Sequence, residues 1–178
     1  MNTFLRQIAV ICGFVMMGFG ASLAGAQQAP ATEDARLAAF FEEVFQRNLK
    51  SSPIFQSQLG IKGPDYGTWD DFSDEERLRR DSLNRQDLER LRTEFSYDQL
   101  SGKMQVSYRI FEEQQETALR DFPWRFHNYS FHTQSNPATQ FVSFMQNIHL
   151  VNSVADAEAY ISRLNALALA YGQFIDRI

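Results

Sequence analysis

Apolar residues recur at three- and four-residue steps along most of this chain, and this periodicity restricts its fold more than any other feature. In the segment that begins near Glu33 or Asp34, apolar residues share one face and charged residues occupy the opposite face. The apolar positions are Leu37, Phe40, Phe41, Val44, Phe45 and Leu49. This spacing predicts an amphipathic helix whose aromatic face packs into a core.

Helix caps and breakers divide the rest of the chain into further helices. Pro53 starts a short helix that Gly60 ends, and Ser73 with Glu76 forms a capping box for a helix that reaches about Phe95. Further helices are predicted to start at Ser101-Gly102, after Asn136-Pro137, and at a Ser153–Asp156 cap. We therefore predict an all-α fold, an antiparallel up-and-down helical array with little sheet. Its predicted buried residues include Phe40, Phe41, Val44, Phe45, Phe111, Leu164 and Phe174.

The first 26 residues are typical of an export signal. A short head with Arg6 precedes an apolar run from Ile8 to Leu23, and Ala24-Gly25-Ala26 forms a cleavage site. The run is interrupted by glycines and is shorter than the roughly 20 apolar residues that span a bilayer, so we expect no stable membrane anchor. We predict a signal peptide over 1–26, a disordered leader over 27–32, a helical domain over 33–178, and a periplasmic or secreted protein.

Cysteine content and charge exclude several classes of function. The only cysteine, Cys12, lies in the predicted signal, so the exported chain has no disulfide, thiolate zinc site or cysteine nucleophile. The formal net charge is -5, and all 22 acidic residues lie beyond the signal. Nucleic acid is not an expected partner, because phosphate binding needs clustered Lys and Arg.

Acidic clusters give no recognisable metal or catalytic site. Asp65, Asp70 and Asp71 surround Trp69, but their spacing does not match a calcium loop, and we interpret them as a solvated loop followed by a helix cap. The pair Glu112 and Glu116 shares a helix face without a histidine at ligand spacing. We interpret this pair as a solvated surface.

The stretch from Phe122 to Phe131 is the best candidate for a ligand-facing wall. It is predicted to be extended and carries Trp124, Phe126, Tyr129 and Phe131. Stacking on a substrate and ordinary core packing both remain open for these rings. The histidines His127 and His132 are five residues apart without a third ligand nearby, which does not favour a metal site. The residues themselves identify no catalytic, cofactor-binding or metal-binding side chain.

The last predicted helix keeps its apolar stripe to the final residue. The stripe comprises Tyr160, Ile161, Leu164, Leu167, Tyr171, Phe174, Ile175 and Ile178, and no polar tail follows it. This pattern favours truncation of a longer protein. We also expect the isolated chain to self-associate through Tyr171, Phe174 and Ile178.

Two runs near the carboxyl end carry a specific resemblance. The run from Phe144 to Val151 and the run from Asp156 to Leu164 resemble the family called domain of unknown function 885, and Ser52-Pro53, Leu59-Gly60 and the Asp-rich loop before Ser73 resemble its opening. Members of this family are exported, largely helical bacterial proteins that resemble zinc peptidases. The resemblance implies that this chain is the amino-terminal portion of a larger, mainly helical, zincin-like protein.

The zinc signature of that family has the form His-Glu-x-x-Pro-Gly-His-His, in which two histidines hold the metal and the glutamate activates its water. None of His127, His132 and His149 is followed by Glu. No catalytic residue can therefore be carried over, and zinc is expected only in a full-length relative.

Three functions remain open. The first is a non-catalytic helical segment of an exported protein that resembles zinc-dependent peptidases and contacts a peptide substrate through the full-length protein. The second is a freestanding periplasmic module that binds a peptide or small ligand. The third is a nonfunctional truncated remnant. The resemblance suggests a metallopeptidase-like hydrolase, but this chain lacks the zinc motif, so whether it is an enzyme stays open.

Overall fold

The computed structural model describes residues 32–127, 131–132 and 136–176, and this part of the chain is all-α, as predicted. The predicted signal peptide and residues 27–31 of the predicted leader lie outside the described residues. The helices are α1 (Glu33–Lys50), α2 (Pro53–Gln58), α3 (Asp74–Glu94), α4 (Gly102–Asp121), α5 (Pro137–Asn147) and α6 (Val154–Ile175). None of these helices has the length and apolar content needed to cross a membrane.

Each of these helices begins at a side chain that accepts a hydrogen bond from a backbone N–H in the first turn. The capping residues are Thr32, Ser52, Ser73, Ser101, Asn136 and Ser153. Such a cap satisfies a donor that the helix itself leaves unpaired. At Ser73 the predicted capping box forms in one direction only, because Glu76 pairs with Arg79 and Arg80 while the Ser73 N–H donates to Asp71.

Helices α1, α3 and α4 surround the first hydrophobic core, and their ends show an up-down-up arrangement. Arg36 at the start of α1 donates to the Glu94 carbonyl at the end of α3, whereas Asp74 at the start of α3 pairs with Arg125 just beyond α4. Both pairs of neighbours are therefore antiparallel. The buried residues of this core are Leu37, Phe40, Val44, Leu91, Phe95, Leu100 and Tyr108.

A second core lies where α2, the loop after it, α5 and α6 meet. Its buried residues are Trp69, Phe141, Phe144, Met145 and Ala170. Partly buried residues packed against it include Ile54, Phe72, Tyr171 and Phe174. The second core therefore joins residues from both halves of the chain.

The predicted buried set is correct in part. Phe40 and Val44 are buried, and Phe41, Phe111 and Phe174 are half-buried. The prediction was wrong for Phe45 and Leu164, which are 42% and 44% exposed. Both belong to apolar stripes that are wider than the face their helix buries.

The region after α4 is turned rather than extended, contrary to the prediction. Phe122–Trp124 forms a short 3-10 helix, and the N–H of His127 donates to the Trp124 carbonyl at 2.8 Å. Pro123 lies in the first turn of the 3-10 helix, where its missing N–H costs nothing. The predicted residue Tyr129 lies outside the described residues.

Candidate functional site

A groove of about 510 Å³ lies between α5 and the elements opposite it. Helix α5 contributes one wall through Thr139, Gln140, Phe141, Ser143 and Phe144. The remaining lining comes from Ile54, Gln58, Trp69, Phe72, Ile148 and Phe174. None of these residues carries a charge. A volume of this size falls in the range of small-ligand sites, which are mostly apolar with a few polar groups.

Ring-to-ring contacts fix the aromatic side of the groove. The Trp69 ring lies 4.6 Å from the Phe141 ring and 5.2 Å from the Phe144 ring, measured between centroids. Phe72 and Phe174 lie 4.6 Å apart, and both also contact Phe141. Because these rings pack against one another, the wall is held in place before any ligand arrives.

The backbone of a buried arginine on α6 holds Trp69 in place through a hydrogen bond. The Trp69 Nε1–H donates to the backbone carbonyl of Arg163 at 2.9 Å, which leaves the ring itself to line the groove. Arg163 is fully buried. Its Nε donates to the Thr68 carbonyl at 2.8 Å, and its Nη2 donates to Ser57 Oγ at 2.9 Å.

Aromatic rings surround the guanidinium of Arg163, and the carboxylate of Asp70 acts on it through its charge without forming an ion pair. Its central carbon lies 4.7 Å from the Phe144 centroid and 5.3 Å from the centroids of both Tyr66 and Trp69. Ring faces attract a desolvated cation, which offsets part of the cost of burying it. Burial nevertheless lowers the pKa of Arg163 to about 10, so the side chain stays charged at neutral pH.

His149 completes the surroundings of Arg163 and is itself buried. Its Nε2 lies 3.1 Å from the backbone carbonyl of Asp156, which can only accept, so Nε2 carries the proton. Nδ1 then accepts from Arg163 Nη1 at 2.9 Å. The ring stacks on Tyr66 at 4.4 Å. Desolvation lowers the pKa of His149, and the nearby charge of Arg163 adds to this effect.

The loop between α2 and α3 positions Trp69 through its two aspartates. Asp70 accepts from the backbone N–H of Ile54 and from Ser52 Oγ, which binds the loop to the start of α2. Asp71 accepts from the Ser73 N–H and from Gln173 on α6. The predicted helix cap is Ser73, and Asp71 is an exposed residue that accepts from the Ser73 N–H, whereas Asp70 is half-buried and is not a solvated side chain.

Gly67 lets this loop approach α6 closely. A Cβ atom built at Gly67 would lie 3.2 Å from the Cα of Ala159 and 3.4 Å from its carbonyl oxygen. These atoms are backbone and cannot move aside as a flexible side chain could. A residue with a side chain at this position would therefore require the loop and α6 to separate by a few tenths of an ångström.

The aromatic segment that the sequence favoured as a ligand wall lies elsewhere. Trp124 is 64% exposed near the end of α4 and has the ring of His127 against its edge at 5.2 Å. Phe126 and Phe131 are also exposed, and none of these residues lines the groove. The interpretation of Glu112 and Glu116 as a surface pair is correct, because both form ion pairs with Arg92 at the surface.

The described residues do not fit a zinc ion. Across 32–127, 131–132 and 136–176, no group of three His, Cys, Asp or Glu side chains could hold a metal. Both ring nitrogens of His149 are already engaged, by Arg163 and by the Asp156 carbonyl. Zinc at Nδ1 of His149 would displace the Arg163 guanidinium and lie beside its positive charge, and zinc at Nε2 would displace the hydrogen bond to the Asp156 carbonyl.

Sequence reasoning missed both the groove and the role of Arg163. One signal was present: Arg163 is the only charged residue between Glu158 and Asp176 in an otherwise apolar and small-residue helix. A lone charge in such a stretch is either exposed or buried with specific partners. The partners lie up to 110 residues away along the chain, so the sequence pattern could not identify them.

Comparison with known proteins gives a match to a family model. A family model described as "Bacterial protein of unknown function (DUF885)" matches residues 53–178, which include α2 to α6 and all the residues that line the groove. No curated protein and no solved structure matches the chain.

Replacing Arg163 with methionine should destabilise the fold. The variant keeps a long side chain but leaves the Thr68 carbonyl, Ser57 Oγ and His149 Nδ1 without their donor. A buried polar group without a partner costs about 1 to 3 kcal/mol, so we expect the free energy of unfolding to fall by about 3 kcal/mol or more in urea denaturation. Arg120→Met, at an arginine whose side chain is 66% exposed, is the control and should change stability by less than about 0.5 kcal/mol. Equal stability of the two variants would contradict the role assigned to Arg163.

His149 should make stability depend on pH in the mildly acidic range. Because the folded pKa is lowered, the unfolded chain takes up a proton at higher pH than the folded chain. The stabilisation that neutral His149 gives the folded chain is complete above the pKa of histidine in the unfolded chain, about 6.5, and is lost as the pH falls below that value. Asp156, whose pKa is lowered to about 2 chiefly by Lys62, loses its contribution only below about pH 4.

The measurement is the free energy of unfolding at several pH values between about 7 and 5. His149→Gln keeps an acceptor for Arg163 and a donor for the Asp156 carbonyl but does not titrate. The wild-type protein should lose stability over this range more steeply than the variant. Parallel curves for the two proteins would show that His149 is not the titrating group.

Proposed function

This chain belongs to the DUF885 family of bacterial proteins, and from that premise we propose that it is a non-catalytic helical segment of an exported, zinc-peptidase-like protein. In this proposal the groove beside α5 holds part of a peptide substrate, and the chemistry belongs to residues that this chain does not contain. The observation that carries the proposal is the pre-formed, uncharged aromatic groove within the region that the family model matches.

The lining of the groove favours a neutral, apolar side chain of a peptide. Trp69, Phe141 and Phe144 offer ring surface, while Gln58 and Ser143 lie in the same lining and can hydrogen-bond a peptide backbone. A charged ligand group would lose its hydration without meeting an opposite charge, which is costly in an apolar site. The expected ligand is therefore a peptide with an aromatic or large aliphatic side chain.

Catalysis is assigned outside this chain because two of its three histidines make other contacts and no group of three possible metal ligands is found among the described residues. His149 is committed to Arg163 and Asp156, and His127 packs against Trp124 near the end of α4. A catalytic zinc needs about three protein ligands and a general base near its water. The side chains of the described residues offer a surface for binding and positioning, not a metal centre.

Export is the second part of the proposal and rests on the sequence of residues 1–26. We propose cleavage after Ala26 and release of a protein that begins at Gln27 in the periplasm or the medium. The mass of the protein recovered from a periplasmic extract tests this directly. Recovery of the chain with Met1 in the membrane fraction would contradict it.

A freestanding periplasmic binding module is the second candidate function. It is favoured by one observation: four separate elements of this chain, α2, α5, α6 and the loop before α3, converge on the groove. The two candidates differ in expected affinity. A complete binding module should hold its ligand with a dissociation constant in the micromolar range or below, whereas one wall of a larger cleft should bind in the millimolar range.

Binding should be measured by calorimetry with two blocked tripeptides that differ only in the central residue. Acetyl-Ala-Phe-Ala-amide should bind at least about tenfold more tightly than acetyl-Ala-Asp-Ala-amide, because only the first buries a neutral ring. Neither peptide should be cleaved by the purified chain on incubation with zinc. Failure of the Phe peptide to bind would refute the groove as a peptide site.

Two adjacent residues of α5 provide matched variants for this experiment. Ser143 lines the groove, whereas Val142 is 54% exposed and does not. Ser143→Phe should fill the groove and weaken binding of the Phe peptide at least about tenfold, while Val142→Phe should leave it unchanged. An equal effect of both substitutions would place the binding site elsewhere.

One tightly held zinc per chain together with chelator-sensitive cleavage would overturn the non-catalytic assignment but not the binding site.

A further inference from the structure

Helix α6 presents an apolar face to solvent on the side away from its buried arginine. Val154 is 78% exposed, Ile161 is 56%, Leu169 is 70% and Ile175 is 59%. Self-association through Tyr171, Phe174 and Ile178 stays a prediction: Tyr171 and Phe174 are half-buried against the second core, and Ile178 lies outside the described residues. The exposed apolar surface of α6 consists of other residues.

No charged group interrupts this face over most of the helix. Between Glu158 and Asp176 the only charged residue is Arg163, which points inward and has no exposed surface. Exposed helix faces normally carry several charged residues. An uncharged and apolar face of this length is typical of a surface that a second helix covers.

The spacing of the face identifies the kind of helix that fits it. Val154, Ile161, Ala168 and Ile175 are each seven residues apart, and Ala157, Leu164 and Tyr171 each follow one of them by three residues. This is the a/d pattern of a two-helix coiled coil, kept over three heptads. Of these seven residues, Ala157 and Tyr171 are half-buried and the other five are exposed.

We infer that α6 pairs with α6 of a second copy of this chain, side by side and in the same direction. Of the four a positions three are β-branched, and the central exposed d position is Leu164. This combination favours a parallel coiled coil of two helices. In a parallel pair related by a two-fold axis, each a residue meets its own copy, and no like charges meet along the a/d seam. This inference does not depend on the groove or on its proposed ligand.

The size of the face predicts a weak dimer. Stable interfaces use about 20 to 30 residues a side, whereas the outward face of one helix of this length provides roughly half that number. The chain also carries a net negative charge, which opposes association of two copies. The dimer should therefore form reversibly, with a dissociation constant in the micromolar range.

Sedimentation of the purified chain over a concentration series tests the inference. We expect a monomer–dimer equilibrium in which Ile161→Glu raises the dissociation constant at least about tenfold, because two carboxylates would meet across the seam. Ile110→Glu on α4 is the matched control, since Ile110 is the same residue type with 54% exposure. All variants carry the same residues 1–31, so association through that part would affect them equally.

Three outcomes would overturn the inference: a wild-type chain that stays monomeric up to about 100 μM, Ile161→Glu that dimerises as the wild type does, or Ile110→Glu that weakens the dimer equally. Circular dichroism checks that each variant is folded. If Ile161→Glu fails to fold, Ala168→Cys replaces it.

Ala168→Cys, in a chain with Cys12→Ser, tests the orientation as well. In a parallel pair the two introduced thiols face each other within disulfide distance, so oxidised glutathione should cross-link the dimer. Ile110→Cys in the same background is the control and should remain uncross-linked. If the chain dimerises but the introduced thiols of α6 do not cross-link, the parallel arrangement is contradicted. The dimer would then be held by some other surface.

Discussion

The burial of one cation, Arg163, sets the arrangement of the second core. A guanidinium removed from water without a carboxylate in ion-pair contact must find other acceptors and ring faces. Here they come from α2, from the loop before α3 and from the end of α5, which are distant from α6 in the sequence or reach it only through a turn. Each of these elements must be in place before Arg163 is satisfied. Partly folded states of this region would leave Arg163 without its partners and are therefore unfavourable. The same requirement fixes the position of Trp69 in the groove wall.

The loop between α2 and α3 behaves as a packed element although it contains no helix. Tyr66 donates to the Leu150 carbonyl, and Trp69 donates to the Arg163 carbonyl. Asp70 accepts from the Ile54 N–H in the first turn of α2, and Asp71 accepts from the N–H of Ser73, the cap of α3. A backbone with few internal hydrogen bonds can be buried only when side chains and distant carbonyls supply its partners. This loop meets that requirement through contacts with α2, α6 and the residue Leu150 between α5 and α6. It is the physical link between helices that lie far apart in the sequence.

The parts of the fold that depend on neighbours in sequence could be predicted, and the parts that depend on distant neighbours could not. Helix starts followed from caps such as Ser73 and Ser153, which act within three residues. The apolar stripes identified the helices but not which edge of a stripe is covered, so Phe45 and Leu164 were placed in the core wrongly. Asp70 and Arg163 have partners 14 to 110 residues away, and no local pattern contains that information.

Charge is divided unevenly between the two cores, and this division bears on function. Helices α1, α3 and α4 are joined at the surface by ion pairs such as Arg90–Glu43 and Arg92–Glu112. Around the second core the charged groups are few, and the groove lining has none. Charged faces keep a chain in solution, so the first core can supply solubility while α5 and α6 carry uncharged surfaces that are suited to binding. The surfaces with a proposed binding role in this chain therefore lack charged residues. A search of the sequence for reactive side chains does not identify them.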